Sequence, residues 1–207
     1  MNHLSPQDIE AESMRIIDRE AGPHSFSEDE WTIVRRIIHA TADFEVMKTI
    51  RFHPQAIAEG IEAIKKGCPV YADTQMLKAA IAGKVREQYG CSAVCLVADD
   101  EVQRVSKASG ITRSAAAMQA AAALLHGGVI AIGNAPTALF EAIKLCREGA
   151  LQPSLIIGMP VGFVGAAESK QALLDSGRIY ITMLGRKGGT PATVATINAL
   201  MQLAGDR

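Results

Sequence analysis

Aromatic residues and excess charge are both scarce in this sequence. Phenylalanine, tryptophan and tyrosine together make up 4% of its 207 residues, and the formal net charge at pH 7 is −1. Nucleic acids are usually held by basic surfaces and, when single-stranded, by aromatic side chains that stack on the bases. The composition therefore argues against a nucleic-acid partner. It leaves room for an anionic small molecule, provided that the positive side chains are gathered locally.

Paired cysteines and long hydrophobic runs are also missing. The four cysteines, Cys68, Cys91, Cys95 and Cys146, form no C-x-x-C pair and have no histidine cluster beside them. We therefore expect buried thiols and no metal held by the protein. No apolar run is long enough to span a bilayer, and no basic segment followed by an apolar one marks a secretory signal. These absences predict a cytoplasmic protein without a membrane partner.

Two short apolar runs organise the sequence, at residues 129–132 and 155–159. They are rich in β-branched residues and do not alternate with polar ones, which is typical of strands buried on both faces of a parallel sheet. Further strands or extended segments are predicted at residues 44–52, 68–72, 92–98 and 178–184. Helical patterns separate these runs. The sequence thus predicts an α/β fold, a single three-layer domain over residues 1–207 with a mainly parallel sheet flanked by helices.

Each of the two central runs is followed at once by a turn and a helical pattern. In parallel sheets such loops lie beyond the carboxyl ends of the strands, where ligands bind. Gly158, Gly162 and Gly165 would let a ligand approach bare backbone, and the N-terminus of the next helix favours negative groups. The spacing matches neither the dinucleotide fingerprint nor the Walker loop. The other interpretation is a tight turn whose glycines serve only the packing of helix on strand.

A capping-box pattern at residues 27–30 opens a helix that ends near His39. Arg36 and His39 are three residues apart, so their side chains lie on one side of that helix. Histidine is well suited to moving protons near neutral pH, and Arg36 could hold a carboxylate. Asp43 follows four residues later, and its charge would act on His39. The alternative is a histidine that only caps the end of its helix.

Two further arginines lie at the starts of predicted helices. Arg113 lies in the first turn of an alanine-rich helix that is predicted to run to His126. The helix dipole disfavours a cation in the first turn, and this indicates a purpose such as binding a carboxylate. The alternative is an arginine that simply reaches solvent. Arg186 lies in a basic, glycine-rich loop at residues 185–189, and Thr190 is predicted to be the N-cap of the following helix. A loop of this kind is an anion receptor.

Other polar residues are interpreted first as local caps. Ser13 interrupts the apolar stripe of the first helix, and from the residues alone its hydroxyl is expected to bond back to its own helix. Asp73 and Thr74 are interpreted as the start of a helix after the strand at residues 68–72. The acidic residues 99–101 are interpreted as another helix start and not as a metal site.

Six sequence blocks, in a fixed order, cover nearly the whole chain. The two longest are AIGNAPTALF at residues 131–140 and GMPVGFVGAAESK at residues 158–170. The shorter ones are IEAES at residues 9–13, RIIH at 36–39, GITRS at 110–114 and GRKGG at 185–189. Together they closely resemble the precorrin-8X methylmutase family of corrin-ring biosynthesis. A match of this length is far more specific than a lone glycine motif.

The resemblance implies roles for particular residues. By this resemblance, His39 is the catalytic residue, a proton donor or acceptor. The substrate-binding residues that it implies are Ser13, Arg36, Arg113, Asn134, Gly162, Gly165, Ser169 and Arg186. The chain departs from the family at Ala80 and Ala82, where the family often has glycine and then threonine or asparagine. That departure puts one substrate hydrogen bond in question.

The reaction implied by the resemblance is an isomerisation in vitamin B12 biosynthesis. A methyl group moves from carbon 11 to carbon 12 of precorrin-8X or cobalt-precorrin-8, a tetrapyrrole polycarboxylate, to give hydrogenobyrinate or cobyrinate. No cofactor is implied, because cobalt, when present, is part of the substrate. The family is homodimeric, so we expect a symmetric dimer with a pocket near the subunit interface. Residues 39–44 and 185–189 look more like the branch that uses the cobalt substrate.

Two other classes of protein remain open at this stage. The first is a corrinoid carrier that binds a tetrapyrrole and converts nothing, against which the presence of His39 beside Arg36 argues. The second is an unrelated nucleotide-binding α/β protein, against which the missing phosphate fingerprints argue. Turnover of substrate separates the first class from an enzyme.

Overall fold

The computed structural model describes residues 5–81 and 83–206, which form an α/β fold around a six-stranded sheet. The strands are β1 (Ile50–Phe52), β2 (Val70–Ala72), β3 (Ala93–Val94), β4 (Val129–Ile132), β5 (Leu155–Gly158) and β6 (Tyr180–Met183). Their order in the sheet is β1-β6-β5-β4-β2-β3. All neighbours are parallel except β1, which runs antiparallel to β6. The prediction of a mainly parallel sheet is confirmed.

Eleven helices are found in the same described residues, with one 3₁₀ turn at Ala122–Leu124. In chain order they are α1 (Pro6–Ala21), α2 (Glu28–Thr41), α3 (Val46–Thr49), α4 (Ala56–Lys65), α5 (Gln75–Ala80), α6 (Gly83–Tyr89), α7 (Asp100–Ser109), α8 (Arg113–Ala121), α9 (Pro136–Arg147), α10 (Ala166–Leu174) and α11 (Thr190–Gly205). Complete capping boxes at Ser5 and Ser27 open α1 and α2. The capping-box pattern at residues 27–30 is therefore confirmed as the start of a helix.

Successive residues of the central strands face two different hydrophobic cores. Val129 and Ala131 of β4 pack with α2, α4 and α11, whereas Ile130 and Ile132 pack with α8 and α9 on the opposite face. All four side chains are fully buried. Because both faces of the sheet are covered, the strands need no polar alternation, and the three-layer prediction is confirmed.

Several predicted boundaries are wrong. Of the expected strand at residues 92–98, only Ala93–Val94 pairs, because β3 is an edge strand whose neighbour is β2. The chain then turns, and the Asp99 amide donates to the Leu96 carbonyl. Residues 44–52 contain the short helix α3 before β1. The alanine-rich helix ends at Ala121, short of the expected residue 126. Gly189, and not Thr190, is the N-cap of α11.

The cysteines are free thiols, and three of them, Cys91, Cys95 and Cys146, are buried. Burial raises the pKa of each of these three thiols, which keeps them protonated. Within residues 5–81 and 83–206, no group of three or more His, Cys, Asp or Glu side chains is arranged to hold a metal ion. Across the same residues, no helix has the length and apolar character needed to cross a membrane.

Candidate active site

Four parallel strands end at one edge of the sheet, and the loops that follow carry four of the nine predicted site residues, Asn134, Gly162, Gly165 and Arg186. In register, Ala72 of β2 lies beside Ala131 of β4, and Ile132 lies beside Gly158 of β5. Gly158 in turn lies beside Thr182 of β6. The segments that follow these strands are therefore neighbours, at residues 73–74, 133–135, 159–165 and 184–189. The expectation that these loops meet at one edge is confirmed.

Asp73 holds the loop that carries Asn134, a contact that the sequence did not reveal. Its buried carboxylate accepts hydrogen bonds from the backbone amides of Gly133 at 3.1 Å, Asn134 at 2.8 Å and Ala135 at 2.8 Å. Burial raises the pKa of Asp73, and the three amide donors partly oppose that rise. Asp73 lies before α5 as expected, but Thr74 alone caps that helix. The signal for this contact in the sequence is an aspartate that directly follows a buried strand.

The loops at residues 159–165 and 185–189 are joined by backbone hydrogen bonds. The Gly162 amide donates to the Arg186 carbonyl at 3.1 Å, and the Gly189 amide donates to the Met159 carbonyl at 2.8 Å. Gly188 fits only because it has no side chain, since a Cβ there would lie 2.3 Å from the Met159 carbonyl oxygen. The two glycine-rich loops therefore form one surface at this edge of the sheet.

The glycines that the sequence singled out serve two purposes. Gly162 and Gly165 adopt φ values of 150° and 76°, and Gly165 is the N-cap of α10, so the loop geometry requires glycine there. Gly158 instead allows close packing, because a Cβ on it would lie 2.6 Å from the side chain of Leu173. The packing interpretation is thus confirmed for Gly158. The substrate contacts expected at Gly162 and Gly165 stay predictions.

Arg186 is exposed and lies over an exposed aromatic ring. Its guanidinium carbon is 5.5 Å from the centre of the Phe163 ring, a cation–π contact. Phe163 and Val164 are 84% and 90% exposed. Phe140 lies beside the same loop, because a Cβ added to Gly165 would be 3.7 Å from the Phe140 ring. A positive side chain and exposed apolar groups therefore share one surface, which suits a large, flat, acidic ligand.

His39 and Arg36 line a second part of the site, a groove of about 320 Å³ between α2 and α11. The remaining lining residues are Ala40, Pro191, Val194, Ala195 and Asn198. His39 is exposed in the last turn of α2, and the packing of α2 on α11 sets its position relative to the start of α11. The expected placement of Arg36 and His39 on one side of a helix is therefore present.

Arg36 already has two partners in the groove region. Its guanidinium donates to the Glu10 carboxylate of α1 at 2.9 Å and to the Gln202 side-chain oxygen of α11 at 2.8 Å. Both members of the ion pair with Glu10 remain partly exposed, so the pair is weak. A substrate carboxylate could replace Glu10 at little cost. The guanidinium is thus oriented for an anion before one arrives.

The basic loop is tied directly to the end of α2. The Lys187 ammonium donates to the Asp43 carboxylate at 2.7 Å and also contacts Glu45. The hydrogen bond from Lys187 lowers the pKa of Asp43, and the same two carboxylates raise the pKa of Lys187. Among the described residues no hydrogen bond or ion pair joins Asp43 to His39. The charge that was expected to act on His39 is therefore directed at Lys187.

The two serines predicted to bind substrate both bond to their own helices. The Ser13 hydroxyl donates to the Ile9 carbonyl at 2.8 Å, the local interpretation suggested by the sequence, and Ser13 lies one turn beyond Glu10 on α1. Ser169 is fully buried in α10, and its hydroxyl donates to the Ala166 carbonyl at 3.0 Å. Roles for both residues in substrate binding stay predictions.

Arg113 and Asn134 lie at the neighbouring starts of α8 and α9. The Thr112 hydroxyl, which caps α8, donates to the Thr137 hydroxyl in the first turn of α9 at 2.8 Å. Arg113 and Asn134 are both exposed beside this contact. The structure therefore brings Arg113 to the edge of the sheet where the strand-end loops meet.

The departure from the family pattern near α5 lies beside the groove. The Asn198 side chain, which lines the groove, donates to the Ala80 carbonyl at 3.2 Å. Ala82 lies outside the described residues. The backbone at Ala80 is thus engaged with α11, while the effect of these alanines on substrate contacts stays an open prediction.

Comparison with known proteins identifies a family for this arrangement. The precorrin-8X methylmutase family model matches residues 8–203. The cobalt-precorrin-8 methylmutase of Leptospira interrogans is 46% identical over 97% of this chain and 95% of the relative, and that of Priestia megaterium is 44% identical over 97% and 89%. A solved structure, precorrin-8X methylmutase from Thermus thermophilus, superposes with a TM-score of 0.88 at 42% identity, over 96% of this chain and 98% of that one. The chain belongs to the precorrin-8X methylmutase family.

Proposed function

We propose that this protein moves a methyl group from carbon 11 to carbon 12 of precorrin-8X or cobalt-precorrin-8, with His39 as the proton donor or acceptor. Membership of the methylmutase family makes the protein an isomerase of cobalamin biosynthesis. The observation that carries the finer proposal is the groove between α2 and α11, where His39 and Arg36 lie together beside the basic loop. The presence of a titratable imidazole and a guanidinium in one groove supports this proposal.

The proposed chemistry needs no second substrate. In the isomerisation the bond from the methyl carbon to carbon 11 breaks as the bond to carbon 12 forms, so no external methyl donor is consumed. The protein would fix one conformer of the macrocycle and move one proton on ring C. Orientation and proton transfer by a positioned histidine are ordinary catalytic contributions. The exposure of His39 leaves its imidazole open to a bound ring.

The charge distribution supports a polycarboxylate substrate. Arg36, Arg113 and Arg186 lie around the end of α2 and the strand-end loops, in a chain with a net charge of −1. The N-terminus of α10, opened by Gly165, adds backbone amides that favour negative groups. A rim of acetates and propionates would find several separate anion sites over this face. The exposed Phe163 ring offers apolar contact for the macrocycle itself.

Of the two forms of the substrate we propose the cobalt form, because the relatives from Leptospira interrogans and Priestia megaterium, at 46% and 44% identity, are named for cobalt-precorrin-8. Cobalt would enter inside the substrate, so no cofactor is proposed. We also place the reaction in the cytoplasm, where four free thiols would stay reduced.

A homodimer with the pocket near the subunit interface is part of the proposal. Val161, Phe163 and Val164 are exposed by 48%, 84% and 90%, and Phe140 by 41%, next to the loops of the site. Exposed apolar clusters of this kind mark binding surfaces. A groove of about 320 Å³ is also small for a complete tetrapyrrole, so a second subunit would enlarge the site. A monomeric mass from light scattering, together with full activity, would contradict this.

The proposal is tested by spectra of the protein mixed with either form of the substrate. Methyl migration changes the conjugation of the ring, so turnover appears as a spectral change. We expect wild type to convert substrate, and His39→Ala to bind it but to convert it about 10²–10⁴ times more slowly, the usual contribution of a positioned acid or base. His126→Ala is the matched control, because His126 is an exposed histidine that precedes β4 at the opposite edge of the sheet.

The alternative of a corrinoid carrier predicts a different result. A carrier would shift the spectrum on binding, with wild type and His39→Ala behaving alike, and no rearranged product would form. Full turnover by His39→Ala would instead support the isomerase proposal and show that His39 is not the proton donor or acceptor. Product analysis by mass-matched chromatography separates these outcomes, because isomers share one mass and differ in retention.

A further inference from the structure

Lys170 is a buried cation for which the structure shows no acidic partner within the part of the chain that it describes. The residue is fully buried in α10, and its ammonium donates to the Lys187 carbonyl at 2.6 Å. Burial lowers the pKa of Lys170 to about 8. An unpaired buried ammonium destabilises the folded state, and an apolar side chain of the same length would remove that cost. The position of Lys170 therefore indicates a role other than stability.

The carbonyl that Lys170 binds lies in the middle of the basic loop. On either side of it, the Arg186 carbonyl accepts from Gly162 and the Gly189 amide donates to Met159. Three of the five loop residues are glycines with φ values of 75°, 148° and 107°, so the loop has little conformational preference of its own. The hydrogen bond from Lys170 restrains the backbone of Lys187, the residue whose side chain reaches the end of α2.

The Lys187 side chain carries this restraint across to α2. Its ammonium contacts Asp43 at 2.7 Å and Glu45, which directly follow the helix. Ala42 is the C-cap of α2, with a φ of 53°, and its amide donates to the Ile38 carbonyl at 2.7 Å. His39 therefore lies in a helical turn whose downstream end makes two ionic contacts with the basic loop. The connection runs from Lys170 through the Lys187 backbone and side chain to the end of α2.

We propose that Lys170 and Lys187 act as a strap that positions His39 for the isomerisation, with Lys170 as the inner anchor. The inference rests on the proposed function for its kinetic part. Neither lysine needs to touch the reacting atoms. Their effect is to fix the last turn of α2 relative to the loop that carries Arg186, so that the imidazole and the bound ring keep one mutual orientation. A displacement of a catalytic group by about 1 Å lowers rates by as much as about a hundredfold.

The test compares Lys170→Met, Lys187→Met and the double variant, with Lys66→Met as control. Lys66 forms an exposed pair with Glu62 in α4 and lies outside the strap. We expect each strap variant to lower kcat about tenfold while KM changes much less, because orientation and not binding is lost. The double variant should also lose about tenfold, and not a hundredfold, because both lysines act through one connection. Lys66→Met should match wild type.

A second measurement does not depend on turnover. The imidazole resonances of His39, followed by NMR, should move in both strap variants and stay in place in Lys66→Met. If wild type fails to convert substrate but these resonances move, the strap stands and the proposed reaction fails. Should kcat of Lys187→Met stay within twofold of wild type, or should the two losses multiply, the strap is overturned. Lys187 is exposed, so its variant tests the connection without any change to the buried interior of the protein.

Discussion

Replacing Gly188 with alanine should destabilise the protein far more than the same change at Gly185, three residues away. A Cβ at Gly188 would lie 2.3 Å from the carbonyl oxygen of Met159 and 3.0 Å from its carbonyl carbon. Both contacts are with backbone, which cannot rotate aside as a side chain can. A Cβ at Gly185 meets nothing within 4 Å, although φ is 75° there. The two sites thus separate the cost of the backbone conformation from the cost of the collision.

The expected magnitudes follow from those contacts. Gly185→Ala places alanine in the left-handed region, which costs about 1 kcal/mol of unfolding free energy. Gly188→Ala, at a φ of 148°, has a similar conformational cost. Moving the loop away from Met159 also breaks the hydrogen bond from Gly189, worth about 1 kcal/mol, and forces a backbone shift of about 1–2 kcal/mol. The sum is about 3–4 kcal/mol.

Thermal unfolding of the two variants and wild type provides the assay. In a chain of this size each kcal/mol lowers Tm by about 2–4 °C, so Gly188→Ala should lose about 10 °C and Gly185→Ala about 3 °C. Below their melting points, Gly188→Ala should also be the slower enzyme, since the collision displaces the loop that carries Arg186. Equal losses of Tm in the two variants would refute the collision as the cause.

Three further changes have defined outcomes. Glu10→Gln removes the carboxylate that pairs with Arg36, so KM for the acidic substrate should fall about two- to fivefold in steady-state kinetics, and an unchanged KM would contradict competition. Asp73→Asn loses the charged acceptor of three amide hydrogen bonds, about 2 kcal/mol, and should lower Tm by about 4–8 °C in a thermal melt. The pKa of Lys170 is about 8 in the folded state and 10.5 in the unfolded chain, so the unfolded chain holds more protons between these two pH values. The unfolding free energy should therefore rise with pH across that window, by about 3 kcal/mol. Denaturant titrations of wild type and Lys170→Met at pH 7.5 and 10.5 give the difference between their unfolding free energies at each pH. The prediction fails if that difference is the same at both pH values.

The sheet could be predicted from the sequence because its strongest signals are local. The runs at residues 129–132 and 155–158 are β-branched and uninterrupted, and they form the two central parallel strands. The capping boxes at Ser5 and Ser27 likewise involve residues only three apart. The edge strand at residues 93–94 was predicted too long, because pairing there depends on a neighbouring strand and not on the run itself.

The site was only partly accessible from the sequence. The placement of Arg36 with His39 follows from helical periodicity, and the meeting of the loops follows from the parallel sheet. Contacts between distant segments have no local signal, and these include the Asp73 carboxylate on the loop at residues 133–135. The burial of both Ser169 and Lys170, which are adjacent and polar, contradicts what any amphipathic pattern would predict for a surface helix.

The packing of α2 against α11 places the two walls of the groove at opposite ends of the chain. During synthesis the wall with His39 emerges first, and at typical elongation rates it waits on the order of ten seconds for the wall that starts at residue 190. Until then the apolar face of α2, which includes Ile33, Val34 and Ile37, has no α11 to cover it. A prematurely ended chain therefore lacks the groove and presents an exposed apolar helix, which chaperones and proteases recognise. The contact between α2 and α11 is therefore needed twice, once to form the groove and once to protect α2 from chaperones and proteases in the cell.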